Sequence, residues 1–130
     1  MIIVDASVIC AIMLGEPDRG RLLEVLTRDP DPLISPVNRW EALVSLERRF
    51  GDGTATSVEL LFARSNIRVA GLAAAEAEAA FDAWRNFGKG RHPAGLNLGD
   101  CFAYALAKSR DLPLLFKGDD FAKTDVRSAM

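Results

Sequence analysis

The chain has a single histidine, His92, and only two cysteines, Cys10 and Cys101, in 130 residues. One histidine excludes a His-based zinc cage, and two distant cysteines fit neither a CxxC metal site nor a disulfide framework. They read as small buried apolar residues in a reducing cytosol. No apolar run approaches the roughly 18 residues that a membrane span needs. The opening MIIVDAS carries no basic stretch ahead of its apolar run, so it is unlike a secretory leader, and a cytoplasmic protein is expected. There is no Walker-type phosphate loop and no GxSxG elbow. A serine triad through His92 would lack a serine in a strained turn. Net charge is −2. Any surface for a polyanion must therefore be local.

What is present is a globular composition, 49% hydrophobic and 26% charged. One domain is expected over residues 1–130, with enough chain to bury a core unaided. IIVD at 2–5, DPLIS at 31–35, NIRVAGL at 66–72 and LPLLF at 112–116 read as short strands. Helices are expected between them: ASVICAIMLG, EPDRGRLLEVLTR, SPVNRWEALVSLERRFG, TATSVELLFARS, AAAEAEAAFDAWRNFG and NLGDCFAYALAKSRD. Alternation of this kind predicts an α/β domain with a parallel sheet covered on both faces. Sites in such domains form at the carboxyl ends of the strands.

Acids fall at those ends. Asp5 closes the first strand, and Glu41 lies about two turns into the helix after the second. Asp100 sits one turn into the helix leading to the fourth strand, which Asp119 and Asp120 follow. Each has an ordinary explanation taken singly. Asp5 suits a helix cap, with Ser7 helping, and Asp100 suits the third helical position behind an Asn97 cap. Glu41 suits a helix start, and the Asp119–Asp120 pair and Asp125 suit turns. Taken as a set, converging carboxylates would repel one another and raise one another's pKa. A hard divalent cation removes the conflict. Mg²⁺ takes oxygen ligands, binds one or two carboxylates directly and keeps several waters. Held that way it activates water and stabilises charge on a phosphoryl group. The pattern predicts metal-assisted phosphodiester hydrolysis.

The segments MIIVDASVICAIMLGEP, SPVNRWEALVSLERRFG, FGKGRHPAGLNLGDCFAYALAK and LPLLFKGDDFAKTD together resemble PIN-domain ribonucleases of the VapC toxin type. The resemblance runs over nearly the whole chain. It implies a three-layer α/β/α sandwich with a mainly parallel sheet and an RNA-cleaving site dependent on Mg²⁺ or Mn²⁺. Asp5, Glu41, Asp100 and Asp120 would be its catalytic acids. Asp5, Asp100 and Asp120 would touch the metal, with Asp119 a weaker candidate, and Glu41 would position water or act as base. Ser7 and Asn97 would support them. Where many members carry a Thr and then an Asp after the last long strand, this chain has Phe116 and Gly118. The resemblance also implies a VapB-type antitoxin, for which residues 7–28 and 36–50 are the expected groove. It implies a homodimer too, no membrane, and contact with DNA only through the antitoxin.

RNA would need positive charge near the acids. Lys89, Arg91 and His92 in the loop KGRHPAG are candidates, as are Arg39 and Lys117, though each also suits a solvated surface. Trp40 shares a stripe with Leu43 and Val44 and is expected in the core, with base stacking as the other possibility. Other classes fit less well. A phospho-acceptor receiver would need an Asp after the third strand, where the chain reads GLAAAEAEAA. An aspartate-nucleophile phosphatase would need DxD, but the second position is Ser7. The remaining alternatives are a PIN-like RNA-binding module without catalysis and a nuclease outside any toxin–antitoxin system.

Overall fold

The structure is a computed structural model that describes residues 1–130. Its elements run β1 (Ile3–Val4), α1 (Ala6–Met13), α2 (Arg19–Arg28), β2 (Leu33–Ile34), α3 (Pro36–Phe50), α4 (Thr54–Ser65), β3 (Arg68–Val69), α5 (Ala74–Phe87), α6 (Leu98–Ser109) and β4 (Leu114–Leu115). A short 3-10 turn follows at Phe121–Lys123. The four strands form one sheet in the order β3-β2-β1-β4, and every pairing is parallel. This is the α/β/α arrangement expected from the alternation of strands and helices.

Strand periodicity builds the two faces. Side chains alternate sides along a strand. Val4, Ile34 and Leu115 accordingly join the core beneath α1 to α4, together with Val8, Ile9, Leu22, Leu26 and Leu46. Ile3, Leu33 and Leu114 point the other way, into a second core with Leu96, Ala103 and Leu106. Small residues on α5 and α6, including Ala80, Ala83, Ala103 and Ala107, are buried there. They let these two helices pack closely on each other and on the sheet.

The strands are shorter than the sequence suggests. The fourth narrows from 112–116 to Leu114–Leu115 because Pro113 has no N–H to donate, although its carbonyl still accepts from Ile3 N–H at 2.9 Å. The third narrows from 66–72 to Arg68–Val69, and both residues are exposed. It is an edge strand, with Arg68 paired to Asp31 in a bidentate contact at 2.6 Å. The opposite edge is closed by the tail, where Leu114 N–H donates to Arg127 O at 2.8 Å and Ala129 N–H to Leu114 O at 2.9 Å.

One expectation is overturned. Trp40 is not in the core but 64% exposed. The buried stripe of α3 is Asn38, Ala42 and Leu46, spaced four apart, which turns Trp40 outward. Cys101 is buried and Cys10 half-buried, and both are free thiols.

Candidate active site

Asp5 follows β1 directly and is the N-cap of α1. Its Oδ2 accepts from Ser7 N–H at 3.0 Å. The cap uses one oxygen only. Oδ1 is buried with no hydrogen-bond partner, and the residue is 4% exposed. Burial pushes its pKa above the ordinary carboxylate value, hydrogen bonds from Ser7 pull the other way, and the charge of Asp120 adds to the rise. Ser7 has a second task. Its Oγ accepts from Lys117 N–H at 3.0 Å, which ties the exit of β4 to the start of α1.

Asp100 occupies the third position of α6, in a reciprocal cap with Asn97. Asn97 Oδ1 accepts from Asp100 N–H at 2.9 Å, and Asp100 Oδ2 accepts from Asn97 N–H at 3.1 Å. Its pKa is pushed up to about 7, first by burial and then by the charges of Asp5, Glu41 and Asp120. Glu41 is raised as well, by burial first and then by Asp5, against a lowering bond from Asn38. Thus Asp5, Glu41, Asp100 and Asp120 form one electrostatic cluster. Asp119, exposed beside Asp120, contributes to none of these shifts.

Two residues that sequence reasoning passed over hold Glu41. Asn38 is fully buried, and its Nδ2 donates both to Glu41 Oε1 and to Gly99 O, each at 2.9 Å. It joins α3 to the first turn of α6. A Cβ on Gly99 would lie 1.9 to 2.1 Å from the Glu41 carboxylate, so glycine is what makes room for that acid. The available signal was a polar residue three positions before Glu41, which puts both on one helical face.

A buried unpaired carboxylate oxygen beside three further acids fits a divalent cation, because it supplies an unused hard donor where charge is unneutralised. No three His, Cys, Asp or Glu side chains stand close enough to cage an ion by themselves. The donor set therefore suits a cation held by one or two carboxylates with water completing its shell.

The five basic residues expected near the site differ in their partners. Arg39 is paired with Glu59, and Lys117 with Glu16 and Asp18. His92 is part of its loop, with Nδ1 accepting from Ala94 N–H at 3.0 Å and its ring edge against Phe87. Lys89 and Arg91 have no carboxylate partner. Arg91 donates from Nε to Arg85 O and lies over the Trp84 ring.

A parallel four-stranded sheet with a carboxylate cluster at its strand ends is a framework that metal-dependent nucleases share with other phosphate-handling folds. The PIN domain model matches residues 2–127, and the chain belongs to the PIN-domain family, among the VapC ribonucleases. Ribonuclease VapC of Mycolicibacterium smegmatis is 42% identical over 124 residues, covering 95% of this chain and 96% of that protein. Ribonuclease VapC42 of Mycobacterium tuberculosis is 42% identical over 128 residues, covering 98% of each. Among solved structures, the Mycobacterium tuberculosis toxin VapC20, which cleaves the sarcin–ricin loop, aligns with a TM-score of 0.77 at 19% identity, over 97% of this chain and 96% of that one. A toxin–antitoxin complex from Klebsiella pneumoniae aligns at 0.71 and 18% identity, over 96% and 93%. These two likenesses speak for the fold. Ribonucleases of this family depend on a divalent metal. No helix is long and apolar enough to cross a membrane.

Proposed function

We propose that this chain is a single-domain endoribonuclease, the toxin of a VapBC-type pair, with Mg²⁺ as its physiological metal and Mn²⁺ able to replace it. The observation that carries the site assignment is the buried, unpartnered Oδ1 of Asp5 in a cluster where Asp5, Glu41 and Asp100 are all raised in pKa. Asp5, Asp100 and Asp120 are the acids around the metal, one or two of them binding it directly and the rest through its water. The cation supplies charge neutralisation and a water more acidic than bulk. Glu41, held by Asn38 and raised in pKa, orients the attacking water and takes its proton, a task suited to a carboxylate titrating nearer neutrality. Ser7 fixes Asp5, and Asn97 fixes Asp100. Lys89 and Arg91 are the cations free to meet phosphate, while Arg39 ties α3 to α4 and His92 and Lys117 hold the segments around the site.

The antitoxin partner would dock in the groove between α1, α2 and α4, where Ile12, Met13, Leu23 and Leu60 are flanked by Arg19 and Arg64. A cytoplasmic homodimer completes the proposal.

The test is to incubate purified, partner-free protein with total RNA in Mg²⁺, in Mn²⁺ and in EDTA, beside Asp100→Asn. Discrete cleavage with metal alone, lost in the variant, is expected. RNA that is bound but never cut under any metal would favour a binding module instead.

A further inference from the structure

A groove opens between α5 and α6, with a cavity of about 370 Å³. Phe81 and Trp84 line one side, and Leu98 and Phe102 the other. Phe81, Trp84 and Leu98 are 58%, 37% and 69% exposed. Large apolar side chains gathered on a surface mark an interaction site.

The arrangement of the rings favours one kind of occupant. Phe81 and Trp84 stack on each other, 10° from parallel with centroids 6.1 Å apart, and both rings border the groove. Each ring carries a guanidinium: Arg85 stands 5.8 Å from the centre of Phe81, and Arg91 stands 5.0 Å from Trp84. Lys89 sits at the rim. Flat π-surface interleaved with cations suits a nucleobase and its attached phosphate. An apolar protein surface would suit it less, because it would strip water from those cations and return no charge. Gly88 permits the arrangement. A Cβ there would lie 2.4 Å from Trp84 Cδ1, so glycine lets the indole fold over the start of the loop that brings Lys89 and Arg91.

The groove is joined to the acid cluster through Asn97. Asn97 lines it, and Asn97 is the residue whose side chain and N–H clasp Asp100. We infer that the α5–α6 groove binds one unpaired nucleobase of single-stranded RNA beside the cleaved linkage, with Lys89 and Arg91 on the adjoining phosphate. The inference rests on the ribonuclease assignment.

Two readouts separate the two ideas. Binding is measured in EDTA by anisotropy of a labelled single-stranded oligoribonucleotide. Cleavage is measured with Mg²⁺ on the same strand and on versions carrying one abasic position near the cut. Trp84→Ala is expected to weaken binding and raise KM on the order of tenfold, with a much smaller change in kcat. One abasic position should weaken wild type by a similar factor and leave Trp84→Ala unaffected. Lys89→Ala, on an exposed residue that cannot disturb the core, should weaken binding too. Wild type that cuts RNA while Trp84→Ala and Lys89→Ala bind and cut as it does would overturn the pocket and leave the ribonuclease standing. Binding that depends on Trp84 without cleavage under any metal would do the reverse. If sedimentation shows Trp84→Ala turning a dimer into a monomer that binds RNA as tightly, the groove joins two copies and the inference is wrong.

Discussion

Replacing Gly99 with alanine tests how the site holds Glu41. The new Cβ would fall 1.9 Å from Glu41 Oε1 and 2.1 Å from Oε2. Contacts closer than about 3.0 Å do not persist, so the carboxylate must retreat by roughly 1.1 Å or more. Retreat breaks its 2.9 Å bond to Asn38. Losing a hydrogen bond to a charged group costs about 1.5–3 kcal/mol, and alanine in place of a helical glycine returns about 0.5–1 kcal/mol. The net loss is about 1–2 kcal/mol, a fall in Tm of roughly 3–10 °C. Activity should suffer far more. A displacement of about 1 Å in a positioned group can cost on the order of 100-fold in rate. Circular dichroism melts and single-turnover RNA cleavage read the two effects separately. Adding Glu41→Gln to Gly99→Ala should then cost little more, because both changes remove the same group from its place. A Gly99→Ala protein that cuts RNA at the wild-type rate would refute the idea that Glu41 must stand where it does. Outright unfolding would show that the α3–α6 contact, rather than the carboxylate, gives way.

Four further outcomes are expected. Metal-free protein should melt lower at pH 8 than at pH 5: Asp100, pushed up to about 7, and Asp5 and Glu41, also raised, keep protons in the fold that the unfolded chain has lost, so stability falls as pH rises between about 4 and 7. Asp100→Asn should flatten that dependence, raise the metal-free Tm at pH 8 by a few degrees and abolish the further rise that Mn²⁺ gives wild type; an unchanged pH profile would remove Asp100 from the cluster. Asn38→Ala should lower stability by about 1–3 kcal/mol and activity by about tenfold or more, since it unties Glu41 and the α6 turn together; a stable and fully active variant would contradict this. Native Cys101, buried and pushed up to about 11, should react with a thiol reagent at pH 8 far more slowly than in urea, and equal rates would show that α6 opens readily.

The placement of the candidate acids was legible where it depends on local order. Asp5 stands out because a β-branched run leads straight into it, and Asp100 because a capping pattern precedes an apolar helix. Features set by distant partners were not legible. Trp40 falls on an apolar stripe by spacing, yet α3 is rotated so that polar Asn38 is buried instead, an orientation fixed by Gly99 sixty-one positions away. Arg39 and Lys117 look like free cations until Glu59, Glu16 and Asp18 are found against them. The strands were visible as apolar runs, but their pairing length was not, since only the fold shows that Arg68 and Val69 lie on an exposed edge.

The position of β1 between β2 and β4 has a consequence in time. Its partner on one side, and the Lys117 amide that Ser7 accepts, lie 110 positions further along the chain. During synthesis β1 can meet β2 early, but its β4 side stays open until almost the whole polypeptide has been made. A chain cut before β4 can neither pair that edge of β1 nor make the Ser7–Lys117 bond, so the site is complete only when nearly all of the sequence is present. For a protein that must be matched by an inhibitor before it can act, this delay is a grace period written into the strand order.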